Sequence, residues 1–284
     1  MSAAAYLSTR TAEFAGEAAK LPAFLRRDLL VAWSYRAAFF ADFANLAAQM
    51  LLFFYIGKLI PADSLPSYGG VPATYLEFVT LGIVINVFVQ VALTRMAGAL
   101  RQEQMIGTLE ALLVTPTATA TVQLGSAVFD LVYMPLRTAL FLAFMVIFAG
   151  VDLEPSGVLP AMAILLAFIP FVWGLGIASA AAILTFKRGT GAMGLGALLL
   201  GLTSGAFFPL SLLPGWIAEL AQYNPLAIAI DGLRETLLGG TGWTGVGEDL
   251  ALLVPLSTLA LLAGTLAFKL ALRREQRRGT LGLY

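Results

Sequence analysis

The chain has 284 residues, of which 59% are hydrophobic and only 12% are charged, and its mean hydropathy is +0.86. Soluble proteins contain about 45–50% apolar and about 25% charged residues, so this chain has too few charges to cover a water-soluble globule. The composition excludes a soluble enzyme and indicates a polytopic membrane protein. Because the 17 basic and 17 acidic residues cancel, only their positions carry information.

The sequence contains neither cysteine nor histidine. These absences exclude disulfides, thiol catalysis, zinc–thiolate sites, Ser/His/Asp triads and histidine-bearing metal sites. No G-x-x-x-x-G-K-[ST] motif occurs, so the chain lacks the loop with which P-loop proteins bind ATP. We therefore expect a protein that is not an enzyme, with no catalytic residues, no metal and no cofactor of its own.

Six apolar stretches are long enough to cross a bilayer, which requires about 20 helical residues. They predict spans at residues 37–60, 75–96, 131–150, 160–186, 190–210 and 250–272. With both termini in the cytoplasm, all but three of the 17 basic residues lie inside, at the cytoplasmic ends of the spans or in the cytoplasmic segments, as the positive-inside rule requires. The expected fold is an all-α polytopic membrane protein, with one transmembrane domain over residues 1–284 and cytoplasmic tails at 1–21 and 273–284.

Residues 22–35 come before the first span and place Leu25, Leu29 and Trp33 on one helical face. This pattern predicts a short helix in the cytoplasmic interface of the membrane. The alternative is an ordinary charged flank of the first span.

The loop between the second and third spans predicts a short helix at residues 107–116. Gly107 allows a sharp turn, Thr108 suits the N-cap, and Pro116 ends the helix about two turns later. Three leucines share one face: Leu109, Leu112 and Leu113. Because so short a helix is unstable alone in water, this face requires the membrane surface or a groove in a partner protein.

Two motifs, in order along the chain, resemble the permeases of type-2 ATP-binding-cassette (ABC) exporters. The first motif consists of Arg101, Glu103, Gly107, Thr108, Leu109, Glu110, Leu112, Leu113, Thr115 and Pro116. The second consists of residues 204–209, 213–216, 224–226 and Arg234. The resemblance implies a subunit that dimerises and binds separate ABC ATPases, where ATP and Mg are held. It also implies that the first motif is the coupling helix, which lies in a groove of the ATPase.

Glycines crowd the fifth predicted span, and the spacing of Gly201 and Gly205 allows close helix packing in lipid. The G-x-G-x-x-G string at residues 189–194 lacks a βαβ context, so it favours packing over dinucleotide binding. The resemblance implies that the first and fifth spans of two protomers line the pathway. Candidates for the pathway or dimer interface are Asn45, Gln49, Gly201, Thr203, Ser204 and Gly205. Alternatively, these residues satisfy one another within a single bundle.

Residues 211–249 carry two apolar stretches that are too short to span and are punctuated by prolines, which predicts an extracellular re-entrant or interfacial segment. The resemblance implies an extracellular gate that closes the outer end of the pathway. Its candidate residues are Phe207, Phe208, Pro209, Pro214, Trp216, Asn224, Pro225 and Arg234. The alternative is a membrane-lying loop with no gating role. Asp42, Asp130 and Arg137 lie in or beside predicted spans, and their roles stay open between structure and function.

The leading hypothesis is the permease subunit of an ABC exporter in the cell inner (cytoplasmic) membrane. Its substrate is amphipathic or hydrophobic: a drug-like molecule, a lipid or a lipid-linked glycan. The expected partners are an ABC ATPase, a second permease copy or paralogue, and membrane lipid, but no nucleic acid. The alternative is an ion-coupled secondary transporter that works without an ATPase, although its spans offer few charged groups. An intramembrane serine protease lacks the histidine for a Ser/His pair.

Overall fold

The computed structural model describes residues 21–34, 36–61, 65–106, 135–136, 138–186 and 190–278. In chain order its helices are α1 Leu21–Ser34, α2 Arg36–Gly57, α3 Tyr75–Ile106, α4 Thr138–Ala149, α5 Val158–Phe186, α6 Thr190–Leu202, α7 Gly215–Ala221, α8 Pro225–Leu237 and α9 Val246–Arg278. Strands β1 Ser67–Tyr68 and β2 Val71–Pro72 form an antiparallel hairpin. Single turns of 3-10 helix lie at Pro155–Gly157 and Leu210–Leu212.

Within the described residues, three helical segments are long and apolar enough to cross a membrane: Tyr75–Leu93, Pro155–Phe186 and Val246–Glu275. Two shorter apolar helices cover Ala47–Gly57 and Thr138–Ala149. These helices confirm the expectation of a mainly helical membrane protein. The count of six spans and the side on which the termini lie remain predictions.

Two helices run further than the sequence predicted. Helix α3 continues to Ile106, past residue 96, and α9 covers Val246–Arg278 rather than residues 250–272. Hydropathy marks only the apolar part of a helix, whereas basic residues and glutamine are good helix formers that extend it beyond the hydrocarbon. Helix α1 covers nearly the residues predicted for the interfacial helix.

The fifth apolar stretch was predicted to span to residue 210, but α6 ends at Leu202. Its 13 residues rise about 20 Å, which is less than the ~30 Å of a hydrocarbon core. Thr203 and Ser204 follow, Gly205 adopts a φ of +67° and Pro209 is extended. The chain therefore turns where composition alone predicted a continuing helix.

Local signals explain where α3 begins. The hairpin before it turns at Gly69 and Gly70, whose φ values of +58° and +80° suit a two-residue hairpin loop. Thr74 and Glu77 then form a capping box: the Thr74 amide donates to Glu77 Oε2 at 2.7 Å, and the Glu77 amide donates to Thr74 Oγ1 at 3.3 Å.

The long helices α5 and α9 pack along each other and cross at two glycines. A Cβ atom on Gly174 of α5 would lie 2.5 Å from the Ala260 carbonyl carbon, and a Cβ on Gly264 of α9 would overlap the Gly174 carbonyl. The two backbones therefore touch, as is typical of small-residue crossings in membranes. Helix α3 packs on the other side of α5, and the main apolar core lies between these helices and α8.

Candidate gate at the acidic end of the bundle

Helix α8 is enclosed by the bundle: 11 of its 13 residues are buried, and it packs against α3, α5 and α9. A helix with so much of its surface buried belongs to the core, and only the face that carries Asp231 and Glu235 reaches the surface. It nevertheless carries three charged residues, Asp231, Arg234 and Glu235. This end of the bundle, where Asp152, Glu154 and Glu248 also lie, is called the acidic end below.

Asn224 joins the end of α6 to the start of α8. Its side-chain oxygen accepts a hydrogen bond from the Leu226 amide at 3.0 Å, which makes it the N-cap of α8 with Pro225 in the first turn. Its Nδ2 donates to the Leu200 carbonyl at 3.1 Å and to Thr203 Oγ1 at 2.9 Å. One side-chain amide therefore links the start of α8 to the last turn of α6 and to the Thr203 hydroxyl.

The turn after α6, residues 203–208, is compact and buried at its centre. Ser204 Oγ donates to the Gly201 carbonyl at 2.6 Å and accepts from the Ala206 amide at 3.2 Å. The Ala206 carbonyl lies against the backbone of Gly82 in α3, where any Cβ atom would overlap it. The turn therefore depends on a glycine in α3 as well as on its own Gly205.

Arg234 of α8 binds this turn to α3. Its side chain is 1% exposed. Its Nε and Nη2 donate to the Phe78 carbonyl of α3 at 3.2 and 2.9 Å, and Nη2 also donates to the carbonyl of Gly205 at 2.9 Å. The guanidinium carbon lies 3.5 Å from the centroid of the Phe78 ring. Carbonyl dipoles and a ring face thus surround the buried charge.

Carboxylates compensate this cation only in part. Nη1 of Arg234 lies 3.3 Å from Oδ1 of the half-exposed Asp231. Burial raises the pKa of Asp231, and the nearby Arg234 opposes that shift. Burial also raises the pKa of Tyr68 to about 12, again against the effect of Arg234. Tyr68 is therefore a neutral phenol beside the guanidinium at physiological pH.

Two aromatic residues attach the turn to the neighbouring helices. Tyr75, the first residue of α3, donates its hydroxyl hydrogen to the Phe207 carbonyl at 3.1 Å. The ring of Phe207 stacks on Phe53 of α2 with a centroid separation of 5.9 Å. The turn thus contacts α2, α3 and α8 together.

The far end of α8 is held by the connections between the other helices. The Glu154 amide donates to the Leu237 carbonyl at 2.7 Å. Gly157 lies against the Thr236 carbonyl, and Gly69 of the hairpin lies against Gly239, in both cases with no room for a Cβ atom. Both ends of α8 are therefore fixed to surrounding backbone.

The structure brings together only part of the predicted residues. It unites Gly201, Thr203, Ser204, Gly205, Phe207, Asn224, Pro225 and Arg234, whereas Phe208 ends the same turn and Pro209 follows it. Pro214 and Trp216 lie apart on an exposed surface, where Trp216 is 68% exposed. Asn45 and Gln49 lie in α2 and are exposed.

Most of the predicted coupling motif lies outside the described residues. Arg101 and Glu103 occupy the final turns of α3, which ends at Ile106. Residues 107–116 follow, and they, Asp130 and Arg137 belong to the parts of the chain that the structure does not describe. Asp42 lies in α2.

Sequence reasoning did not single out several residues of the site, namely Tyr68, Tyr75, Phe78, Gly82 and Asp231. The Phe78 carbonyl has no sequence signal, because any residue at that position supplies one. Gly82 does carry a sequence signal that the prediction did not use, because a glycine in the middle of an apolar span is typical of a close backbone approach.

The cluster is suited to holding a segment closed and not to covalent chemistry. Its polar groups are occupied by hydrogen bonds to the backbone, and no activated nucleophile is among them. Among the described residues, no group of acidic side chains could hold a metal ion.

These features define a mainly helical integral membrane protein with a hydrogen-bonded cluster at one end of the bundle. The model of the ABC-2 type transporter family matches residues 20–238, which includes both motifs and ends just beyond Arg234. Because the match covers most of the chain, the protein belongs to the ABC-2 type transporter family. It is a transmembrane, permease component of such a transporter and is not itself catalytic. No curated protein sequence matches the chain.

Proposed function

We propose that this chain is the permease subunit of an ATP-driven exporter. Two permease chains form a dimer, and separate ABC ATPase subunits bind ATP and Mg and drive alternating access. The cargo is an amphipathic or hydrophobic molecule, such as a drug-like compound, a lipid or a lipid-linked glycan. It moves outward across the cytoplasmic membrane, with both termini of the chain in the cytoplasm.

The observation that carries this proposal is the exposed face of α2. Asn45 and Gln49 lie one turn apart on it, and the exposed Ala41, Ala44 and Ala48 lie beside them. Amide side chains are unfavourable against acyl chains, and small residues let helices approach closely in lipid. Such a face suits contact with a second permease and with a hydrated pathway between the two chains.

Helix α3 offers a route from the ATPase to the gate. Its 32 residues extend about 48 Å, and it ends at Ile106, directly before the predicted coupling helix. Near its other end, Phe78 and Gly82 contact Arg234 and the turn after α6. A movement of the coupling helix would therefore reach the gate through one continuous helix.

The coupling step is tested by reversing the chemistry of the coupling helix. We expect Glu110→Arg combined with Leu109→Asp to abolish co-purification with the ATPase and ATP-driven transport in proteoliposomes. The matched control is Glu219→Arg with Leu220→Asp, an adjacent Glu–Leu pair on the exposed surface of α7, and this control retains ATPase binding. Normal binding and transport in the first variant would sink the coupling assignment. Transport driven by an ion gradient in liposomes containing this chain alone would favour the secondary transporter instead.

The dimer is tested by cysteine cross-linking, for which a chain without cysteine is suited as it stands. We expect Asn45→Cys to form a disulfide-linked dimer on mild oxidation in membranes. Leu262→Cys, on the exposed face of α9, serves as the control and stays monomeric. Equal cross-linking of the two variants would contradict this interface.

A further inference from the structure

We propose that the basic end of α9 binds the headgroups of anionic phospholipids. The site, called the basic cluster below, consists of Lys269, Arg273, Arg274 and Arg277, all of which are exposed. Its assignment to the cytoplasmic leaflet rests on the orientation proposed above. The binding itself requires only that the chain is inserted in a membrane.

One face of helix α9 is buried against the rest of the protein. Its buried residues recur at helical spacing: Leu253, Ser257, Gly264, Phe268, Ala271 and Glu275. At 100° per residue they fall within a sector of about 60°. Phe268 and Ala271 pack with Ile177, Ala181 and Leu184 of α5. This face therefore lies against α5.

The opposite face carries an apolar stripe that becomes basic. Four leucines are exposed along it: Leu259, Leu262, Leu266 and Leu270. The next two positions of the same stripe, at steps of three and four residues, are Arg273 and Arg277. In a membrane protein an exposed leucine stripe faces acyl chains. Its continuation into arginines therefore lies at headgroup level.

The acidic residues of α9 lie away from the face that carries Arg273 and Arg277. Glu275 is the only acid in the chain after Asp249, and it lies on the buried face, opposite Arg273 and Arg277. Glu248 and Asp249 lie in the first turn of α9, at the other end of a 33-residue helix. The cluster thus presents its positive charge on the lipid side.

The geometry favours lipid over a protein partner because the basic cluster continues a lipid-facing surface. Three of its four members are arginines, whose planar guanidinium groups bind phosphate oxygens in pairs. Each basic residue near a charged membrane surface contributes about a fivefold increase in binding at ordinary ionic strength. A phospholipid whose tails lie along the leucine stripe brings its phosphate to the arginines.

The test uses the purified full chain in bilayers, without ATPase or cargo. The relative association of spin-labelled phosphatidylglycerol and phosphatidylcholine is measured by electron spin resonance at low and high salt. We expect the wild-type protein to prefer phosphatidylglycerol, with a preference that weakens in high salt. Replacing Arg273, Arg274 and Arg277 together by Gln lowers the preference by about fivefold for each arginine that contacts a headgroup.

Two controls separate charge loss from misfolding. The triple Arg→Lys variant at the same positions keeps most of the preference, because the positive charge remains. Lys58 follows α2 at the acidic end and is exposed. Lys58→Gln therefore leaves the preference for phosphatidylglycerol unchanged. Circular dichroism and size-exclusion chromatography establish that each variant remains folded.

The proposal is overturned if the wild-type protein shows no preference for phosphatidylglycerol, or if the folded triple Gln variant retains it. A triple Gln variant that keeps the lipid preference and loses only ATPase binding would identify a protein-docking site instead. Inorganic phosphate is also added as a competitor of the spin-labelled phosphatidylglycerol. If it displaces this lipid as effectively as unlabelled phosphatidylglycerol does, the basic cluster is a phosphate site and not a lipid site. None of these results depends on transport, so failure of the exporter proposal would leave them interpretable.

Discussion

The Arg234 side chain contacts both the ring and the backbone carbonyl of Phe78. The guanidinium carbon lies 3.5 Å from the ring centroid, while Nε and Nη2 both donate to the carbonyl oxygen of the same residue. The guanidinium is buried, so moving α8 away from α3 would leave its charge in an apolar environment without the Phe78 carbonyl as a partner. Such an unpaired buried charge has a high cost in free energy. We infer that α8, the turn after α6 and the first half of α3 stay together, because Arg234 also donates to the Gly205 carbonyl of that turn.

Removing the Arg234 side chain should destabilise the protein strongly. Arg234→Met leaves the Phe78 and Gly205 carbonyls and Asp231 without their partner, so we expect a loss of about 3–5 kcal/mol in the free energy of unfolding. Arg234→Lys keeps the charge, but its single ammonium cannot reach both carbonyls in the same geometry, and the expected loss is about 1–3 kcal/mol. Thermal unfolding in detergent, followed by tryptophan fluorescence, measures both.

Lys58 provides a matched control for Arg234, because it is also a cation over aromatic rings. Its Nζ lies 4.7 Å from the ring centroid of Phe54, but the lysine is exposed. Lys58→Met should therefore cost less than about 1 kcal/mol. Similar losses in Lys58→Met and Arg234→Met would contradict the role of burial.

Asn224 allows its two roles to be separated by substitution. Asn224→Ala removes both the N-cap and the bridge to α6, with an expected cost of about 1–2 kcal/mol for the cap alone. Asn224→Asp keeps the N-cap acceptor but places a carboxylate oxygen against the Leu200 carbonyl. We therefore expect the Asp variant to be no more stable than the Ala variant in thermal unfolding. Recovery of wild-type stability in Asn224→Asp would mean that only the cap matters.

Adding a single methyl group to either glycine at the crossing of α5 and α9 should destabilise the protein. We expect Gly174→Ala and Gly264→Ala each to cost about 1–3 kcal/mol, because the added carbon forces the two backbones apart. Gly194→Ala in α6 is the control, since its Cβ meets nothing within 4 Å. That change should be neutral or stabilising, because alanine is the better helix former by up to about 1 kcal/mol. Equal effects at the three positions would contradict the close approach.

The acidic end should make stability depend on pH. Burial and the carboxylates of Asp231 and Glu248 raise the pKa of Glu235 above its ordinary value of 4.5. The folded protein then binds this proton more tightly than the unfolded chain does. The resulting stability is complete below pH 4.5 and is lost as the pH rises through the raised pKa.

We therefore expect the unfolding temperature to fall between mildly acidic pH and neutral pH. Glu235→Gln should make this part of the profile less steep, because it removes one of the carboxyl groups with a raised pKa while Asp231 remains. Glu219→Gln, at an exposed position of α7, should leave the slope unchanged. A profile that is equally steep in wild type and Glu235→Gln would show that another group is responsible.

The sequence by itself determined the class of protein and the order of its parts. Scarce charge and long apolar runs require a membrane, and the motifs from Arg101 to Pro116 and from Ser204 to Arg234 indicated the family that the match over residues 20–238 confirmed. The N-cap at Asn224 also has a local signal, because an asparagine followed by proline suits the start of a helix. These features depend on composition and on neighbours in the chain.

Only the tertiary structure decided where α6 ends and what Arg234 does. The run from Thr190 to Leu210 is mainly apolar, and the turn that begins at residue 203 is held by contacts of Gly205 and Ala206 with α8 and α3. Arg234 was predicted as part of a gate, but its partners are backbone carbonyls of residues that are distant in sequence. Because a carbonyl is common to every residue, no pattern of side chains could have identified them.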